Sequence, residues 1–310
     1  MPINKFMMAA IKALSYTEID YKTERALHSL NAPKIKLLYK MWDHVIETGN
    51  HEIPVRLFMP KIKTSPEVFI FFHGGGWVTG NIDTYTKPCA NLANITGRRV
   101  ISVDYRLAPE YPFPCAVDDC YNATREILKF CELLEITEND FILIGDSAGG
   151  NLAAVVSLKA RDTGEFKIKR QILIYPALYN DYTEKSPFTS VHENGSDYLL
   201  TCKKIRDYLD LYIQNPVHLY DPYFAPLLAD DFSNQPDTLI LTAEYDPLRD
   251  EAEEYGYRLY AAKNSVKMYR LNDALHGFFT LPARFAHVKQ TFDIINSFLG
   301  ENKRKGDPND

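Results

Sequence analysis

Residues 145–149 read Gly145-Asp146-Ser147-Ala148-Gly149, directly after an apolar run (141–144) with the look of a buried strand and directly before a helical run (151–161). A turn that lifts a serine above a sheet edge brings neighbouring backbone so close that only glycine fits on either side. The helix that follows aims its free N–H groups and its positive dipole end at one point beside the serine. Strand, G-x-S-x-G and helix in this order are the context of a nucleophile elbow. Few architectures can carry one, so the rest of the chain has to supply a sheet with helices on it.

It does. Short β-rich runs at 41–47 and 54–59, separated by Gly49-Asn50, read as an opening hairpin. Apolar strand-like runs then follow at 68–72, 100–103, 141–144, 171–175, 238–242 and 267–271, alternating with helical patterns at 115–133, 148–161, 251–262 and 284–299. Such alternation predicts a mostly parallel sheet with crossover helices, an α/β fold. One interval breaks the rhythm: about 60 residues separate Tyr175 from Thr238, more than a crossover needs. That stretch carries Tyr179, Tyr182, Phe188, Tyr198, Tyr208 and Tyr212, the composition of a lid over an apolar pocket, with an extra crossover helix as the plainer reading. At the N-terminus Phe6, Met7, Ala10, Ile11 and Leu14 recur at helical spacing and predict an amphipathic helix laid in a protein groove. The expected organisation is 1–40 as helices contributing to a cap, 41–180 and 236–300 as the two parts of the core, 181–235 as a cap insertion, and a charged, frayed tail over 301–310.

A second glycine-rich turn, His73-Gly74-Gly75-Gly76-Trp77, also follows an apolar strand-like run. Three successive glycines cost backbone entropy, so such a loop needs positive φ or a close approach. A phosphate-cradling loop would end in G-K-[ST], whereas Trp77-Val78-Thr79 stands here. Beside an elbow the matching loop supplies N–H donors to an oxyanion, together with the residue after the serine. Gly74, Gly75 and Ala148 are the first choices, Gly76 the next. His73 reads as a hydrogen-bonding brace of its own turn.

Chain order sorts the histidines, because after an elbow serine the acid follows a later strand and the base follows the last one. His276, after the run 267–271 and beside Gly277, fits the base. His28, His44, His51, His192, His218 and His287 read as structural or surface residues. For the acid, Glu244, Asp246 and Asp250 follow the run 238–242, and Asp273 lies close to His276. Asp250 opens an acidic helix start, where a carboxylate caps N–H groups. Asp246 precedes Pro247, which keeps it out of the helix, and it is favoured over Glu244 and Asp273.

Bulk properties narrow the partners. The 310 residues, 45% hydrophobic, are enough for one large core. With 41 acidic and 35 basic side chains the net charge is −6, which offers no field for a nucleic acid. Five scattered cysteines, Cys89, Cys115, Cys120, Cys131 and Cys202, form no C-x-x-C pair and suit reduced thiols in a cytoplasm. No secretory signal or membrane-spanning run is evident, and the sequons at Asn94, Asn122 and Asn194 read as chance.

Taken with 53–60, Val103-Asp104-Tyr105-Arg106-Leu107-Ala108-Pro109-Glu110, Asp246-Pro247-Leu248-Arg249-Asp250 and His276-Gly277-Phe278, these motifs span most of the chain in order. The chain resembles the hormone-sensitive-lipase-like family of α/β-hydrolases, the microbial carboxylesterases related to arylacetamide deacetylase. The resemblance implies an α/β-hydrolase fold with a helical cap, a catalytic Ser147, Asp246 and His276, an oxyanion hole from Gly74, Gly75 and Ala148, and a small-molecule ester as partner. No cofactor or metal is implied, and a homodimer is left open. The aromatic cap and Trp77 suggest a short-chain or aryl acyl group, with Trp77 and Tyr198 as pocket residues. H-G-G-x-W also suits an amidase such as an arylformamidase. A ligand-binding receptor on this scaffold, as in plant gibberellin receptors, would lack the histidine present here as His276, and a non-enzymatic interaction protein would have no use for a complete triad.

Overall fold

A computed structural model of the chain describes residues 20–31, 39–49 and 51–304, together with Met8, 11–13 and Ser15. The described strands are β1 (Met41–Glu47), β2 (Glu52–Phe58), β3 (Val68–Phe72), β4 (Arg99–Val103), β5 (Phe141–Asp146), β6 (Arg170–Ile174), β7 (Asp237–Tyr245) and β8 (Val266–Leu275). They make one sheet in the order β1-β2-β4-β3-β5-β6-β7-β8. β1 and β2 form the antiparallel hairpin, β2 meets β4 antiparallel, and every pair from β4 to β8 is parallel.

Burial follows from that position. Every residue of the inner strands β3, β4 and β5 is buried, which is why they read as unbroken apolar runs rather than alternating ones. One face packs Ile70, Phe72 and Leu143 against α3 (Cys115–Leu128), α5 (Ala148–Thr163) and α8 (Arg249–Ala261). The other packs Phe69, Phe71, Ile142 and Ile144 against α2 (Thr86–Thr96) and α9 (Ala286–Arg304). The remaining helices are α1 (Tyr21–Asn31), α4 (Cys131–Leu134), α6 (Thr189–Asn194) and α7 (Cys202–Tyr212). Among the described residues no helix is long and apolar enough to cross a membrane.

Four expectations change. The helix expected at 115–133 is two, α3 and the single turn α4, which ends on Glu135 at φ 54°. Helix α2 was not expected: Pro88 disguises it, yet as the third helical residue Pro88 forfeits no intrahelical bond. β7 and β8 run to Tyr245 and Leu275 with a register shift between Ala243 and Tyr245, so both strands reach the residues that matter. Residues 301–304 continue α9 instead of fraying. The rest of the tail, and all but Ile11 of the N-terminal apolar positions, lie outside the described residues; Ile11 is helical.

The long connection after β6 is no simple crossover. It holds α6, α7 and the single turns Pro216–Tyr220 and Pro226–Leu228, and is tied to α5 where Asn151 Nδ2 donates to Ala177 O at 2.8 Å and to Phe224 O at 2.7 Å.

Candidate active site

At the carboxyl end of β5 the chain turns as its glycines require. Ser147 sits at φ 55°, ψ −120° and α5 begins at Ala148. A Cβ on Gly149 would overlap the carbonyl oxygens of Phe72 and His73, and one on Gly145 the carbonyl of Gly149. A non-glycine residue in this conformation costs about 1–3 kcal/mol. The surrounding backbone holds it there, with Ser147 N donating to Ile174 O at 2.9 Å and Asn151 N to Ser147 O at 3.0 Å.

The ends of β7 and β8 complete a line of side chains. His276 Nε2 lies 3.0 Å from Ser147 Oγ, and its Nδ1 lies 2.7 Å from Asp246 Oδ2. The Asp246 side chain is fully buried and that of His276 is 12% exposed, so the pair is dry behind and open in front. Asp246 Oδ1 accepts from Leu248 N at 3.0 Å, which holds the carboxyl group in place. The other candidate acids are engaged elsewhere. Glu244 Oε2 accepts from Asp273 N at 2.6 Å, and Asp273 occupies a turn at φ 57°. Asp250 does not cap its own helix: its Oδ2 accepts from Ser190 N, in the first turn of α6, at 2.7 Å.

The pairing of Phe72 with Gly145 sets the glycine loop beside the elbow. His73 braces it as expected, with Nδ1 2.8 Å from Gly74 O and its ring stacked 4.3 Å from that of Tyr105. The donor choice needs correcting. Gly74 N already donates to Asp146 Oδ1 at 3.0 Å and to the Tyr85 hydroxyl at 3.1 Å, so it cannot serve an oxyanion. Gly75 (φ 117°) and Gly76 (φ 61°) instead line the same cavity as Ser147, Ala148 and His276. Among the described residues the N–H groups of Gly75, Gly76 and Ala148 take no hydrogen-bond partner.

Asp146 is a functional residue the sequence reading passed over as the variable position of G-x-S-x-G. It joins the two glycine turns, accepting from Gly74 N, from Tyr85 Oη at 2.9 Å and from Tyr175 Oη at 3.3 Å. Burial pushes its carboxyl up to about 6, against the Tyr85 hydrogen bond and the charge of His276, which favour the ionised form. The available signal was an acidic residue ending a wholly apolar strand.

A cavity of about 1040 Å³ opens over Ser147. Trp77 lines it as expected, stacked on Tyr212 at 4.7 Å. Tyr198 does not: it stacks on Tyr245 at 4.9 Å, while the following Leu199 and Leu200 face the cavity. Ile205 and Tyr208 of α7 also line it, the Tyr208 ring lying against Gly76, and Tyr208 donates to the Glu24 carboxylate of α1 at 2.8 Å, beside Lys204 Nζ, 2.8 Å from the same group. Burial and the Glu24 charge push the Tyr208 hydroxyl well up, so it stays a donor.

Known proteins resemble this chain in sequence and fold. A family model described as alpha/beta hydrolase fold matches residues 69–280. An arylesterase of Saccharolobus solfataricus is 39% identical over 241 residues, 77% of each chain. An ethyl acetate hydrolase of Pseudomonas putida is 36% identical over 233 residues, 74% of this chain and 72% of its own. Among solved structures, a hyperthermophilic esterase from the archaeon Pyrobaculum calidifontis superposes with a TM-score of 0.84 at 34% identity, covering 96% of this chain and 97% of its own. With the sheet order and the elbow, these matches place the chain in the α/β-hydrolase family, among its hormone-sensitive-lipase-like carboxylesterases.

Proposed function

We propose that this serine carboxylesterase hydrolyses short-chain or aryl acyl esters through an acyl-enzyme, with Ser147 as nucleophile, His276 as general base and Asp246 as the acid that orients it. The unbroken line Ser147–His276–Asp246, dry at the acid end and open to the cavity at the serine end, carries the reading. Ser147 Oγ attacks the carbonyl carbon while His276 Nε2 takes its proton. Collapse of the tetrahedral intermediate expels the alcohol, which leaves with that proton. Water then repeats the sequence on the acyl-enzyme and regenerates Ser147. The Asp246 carboxylate holds the imidazole in the tautomer with Nδ1 protonated and stabilises the imidazolium.

The N–H groups of Gly75, Gly76 and Ala148 receive the negative oxygen, each contributing about 2.7–4 kcal/mol if they match measured oxyanion donors. Ala148 is the first residue of α5, so the positive end of that helix adds to the field. The side chains that α1 and the insertion bring to the cavity act as the cap. Its support is that Glu24, Leu199, Leu200, Ile205 and Tyr208 line the same cavity as Ser147.

The names of the relatives, an arylesterase and an ethyl acetate hydrolase, together with the Trp77 wall, favour small acyl or aryl esters over long chains. Relatives named for ester hydrolysis also favour esters over amides. All the groups invoked come from one chain, so the reaction is open to a monomer or a homodimer. The five unpaired cysteines suit a reducing, cytoplasmic setting. Initial rates on nitrophenyl esters from acetate to palmitate, beside matched anilides, test the reading. Fastest turnover at short or aryl acyl groups is expected; fastest turnover on palmitate, or anilides outpacing esters, would contradict it.

A further inference from the structure

The loop that carries Asp246 is held from outside the sheet. Ser190 Oγ, on α6, donates to Pro247 O at 2.8 Å and accepts from Asp250 N at 3.2 Å. One turn later on the same helix, Asn194 Nδ2 donates to both Glu244 O and Asp246 O at 3.3 Å. Both side chains belong to residues that are almost wholly buried, 0% exposed for Ser190 and 4% for Asn194, so water cannot stand in for them. Asp250 returns the contact by accepting from Ser190 N. From within, Arg249 also meets the loop's carbonyls: its N donates to Asp246 O at 3.2 Å and its Nη1 to Glu244 O at 3.0 Å.

The Asp246–Pro247 peptide plane adjoins the Cα from which the Asp246 side chain leaves, the Pro247–Leu248 plane follows it, and both carry a carbonyl gripped by α6. Freed of that grip, the loop can rotate and swing the carboxylate off His276 Nδ1, and a displacement of about 1 Å in such a constellation costs about 10²-fold in rate. We propose that Ser190 and Asn194 are positioning residues for the reaction: through the carbonyls of Asp246 and Pro247 the insertion sets the direction of the carboxylate that orients His276. The inference rests on the proposed roles of Ser147, His276 and Asp246. It also gives Asn194 a use that its place in a sequon does not suggest, since its amide is buried and bonded to the acid loop.

The test compares Ser190→Ala and Asn194→Ala in the native and in the Asp246→Asn backgrounds, on nitrophenyl acetate, with folded protein measured by circular dichroism. Each substitution should lower kcat by about 10²-fold in the native background and change KM by less than about twofold. In the Asp246→Asn background, where the carboxylate is already gone, the same substitutions should change kcat by less than about twofold. Ser190→Thr keeps the hydroxyl and should restore most of kcat. Should Ser190→Ala fail to fold, the Asn194→Ala pair gives the same comparison. Undiminished kcat in folded single variants, or equal losses in both backgrounds, would overturn the inference while leaving the triad intact. A harmless Asp246→Asn would break the triad instead.

Discussion

The two walls of the catalytic cavity are built by different means. On the sheet side backbone does the work: the elbow at Ser147, the glycine loop at 73–77 and the ends of β7 and β8 are placed by strand register and by glycines with no room for a Cβ. On the side proposed as the cap the wall is side chains, Leu199, Leu200, Ile205 and the Tyr208–Glu24–Lys204 cluster. Substitutions on the first wall should therefore act on kcat or on folding, and substitutions on the second on KM and specificity. The acid loop stands between them, with its carboxylate on the sheet and its backbone held by the insertion.

The largest expected effect is on the sheet side. Ser147→Ala should lower kcat by roughly 10⁶, and Asp246→Asn by roughly 10⁴, in single-turnover measurements on a nitrophenyl ester. Next comes Gly149→Ala, whose Cβ would overlap two carbonyl oxygens. That overlap should cost about 3 kcal/mol, a fall in Tm of about 5 °C by calorimetry. A Gly149→Ala protein with unchanged Tm would break the claim that backbone crowding builds this wall. On the cap side, Tyr208→Phe removes the bonds to Glu24 and should raise KM about three- to tenfold, a loss of about 1 kcal/mol, with kcat held within about twofold; a fall in kcat alone would erase the contrast.

A pH-dependent effect concerns Glu251, which is fully buried and accepts from Leu178 N at 2.7 Å and from Tyr182 Oη at 2.9 Å. Burial pushes its carboxyl from the ordinary 4.5 up to about 8. A group raised by folding favours the native state in full below its unfolded value, and that contribution is lost as pH rises through the folded one. Glu251→Gln cannot ionise, so its Tm should match that of the native protein near pH 4 and exceed it by several degrees near pH 9. A constant Tm difference across that range would contradict the assignment.

How much was legible divides along the same line. The strands were readable because inner parallel strands must be apolar throughout, and Ser147 and His276 because the elbow and the chain order leave few alternatives. The Gly74 error has a physical cause: sequence shows that a glycine is present but not which way its N–H points, and Asp146, buried between the two turns, claims the one at Gly74. Tyr198 misled because an aromatic in a cap segment can face either way, and here Tyr245 takes it. Helix α2 was hidden by Pro88, and the hold of Ser190 and Asn194 on the acid loop by a sequence separation of fifty residues or more.

Fluorophosphonate labelling followed by mass mapping tests the central claim most directly, because the reagent reports a serine whose hydroxyl is activated by a neighbouring base and faces an oxyanion site. A single adduct on Ser147, absent from Ser147→Ala, is the expected result. Folded protein that takes no label, or takes it at another residue, would contradict the account.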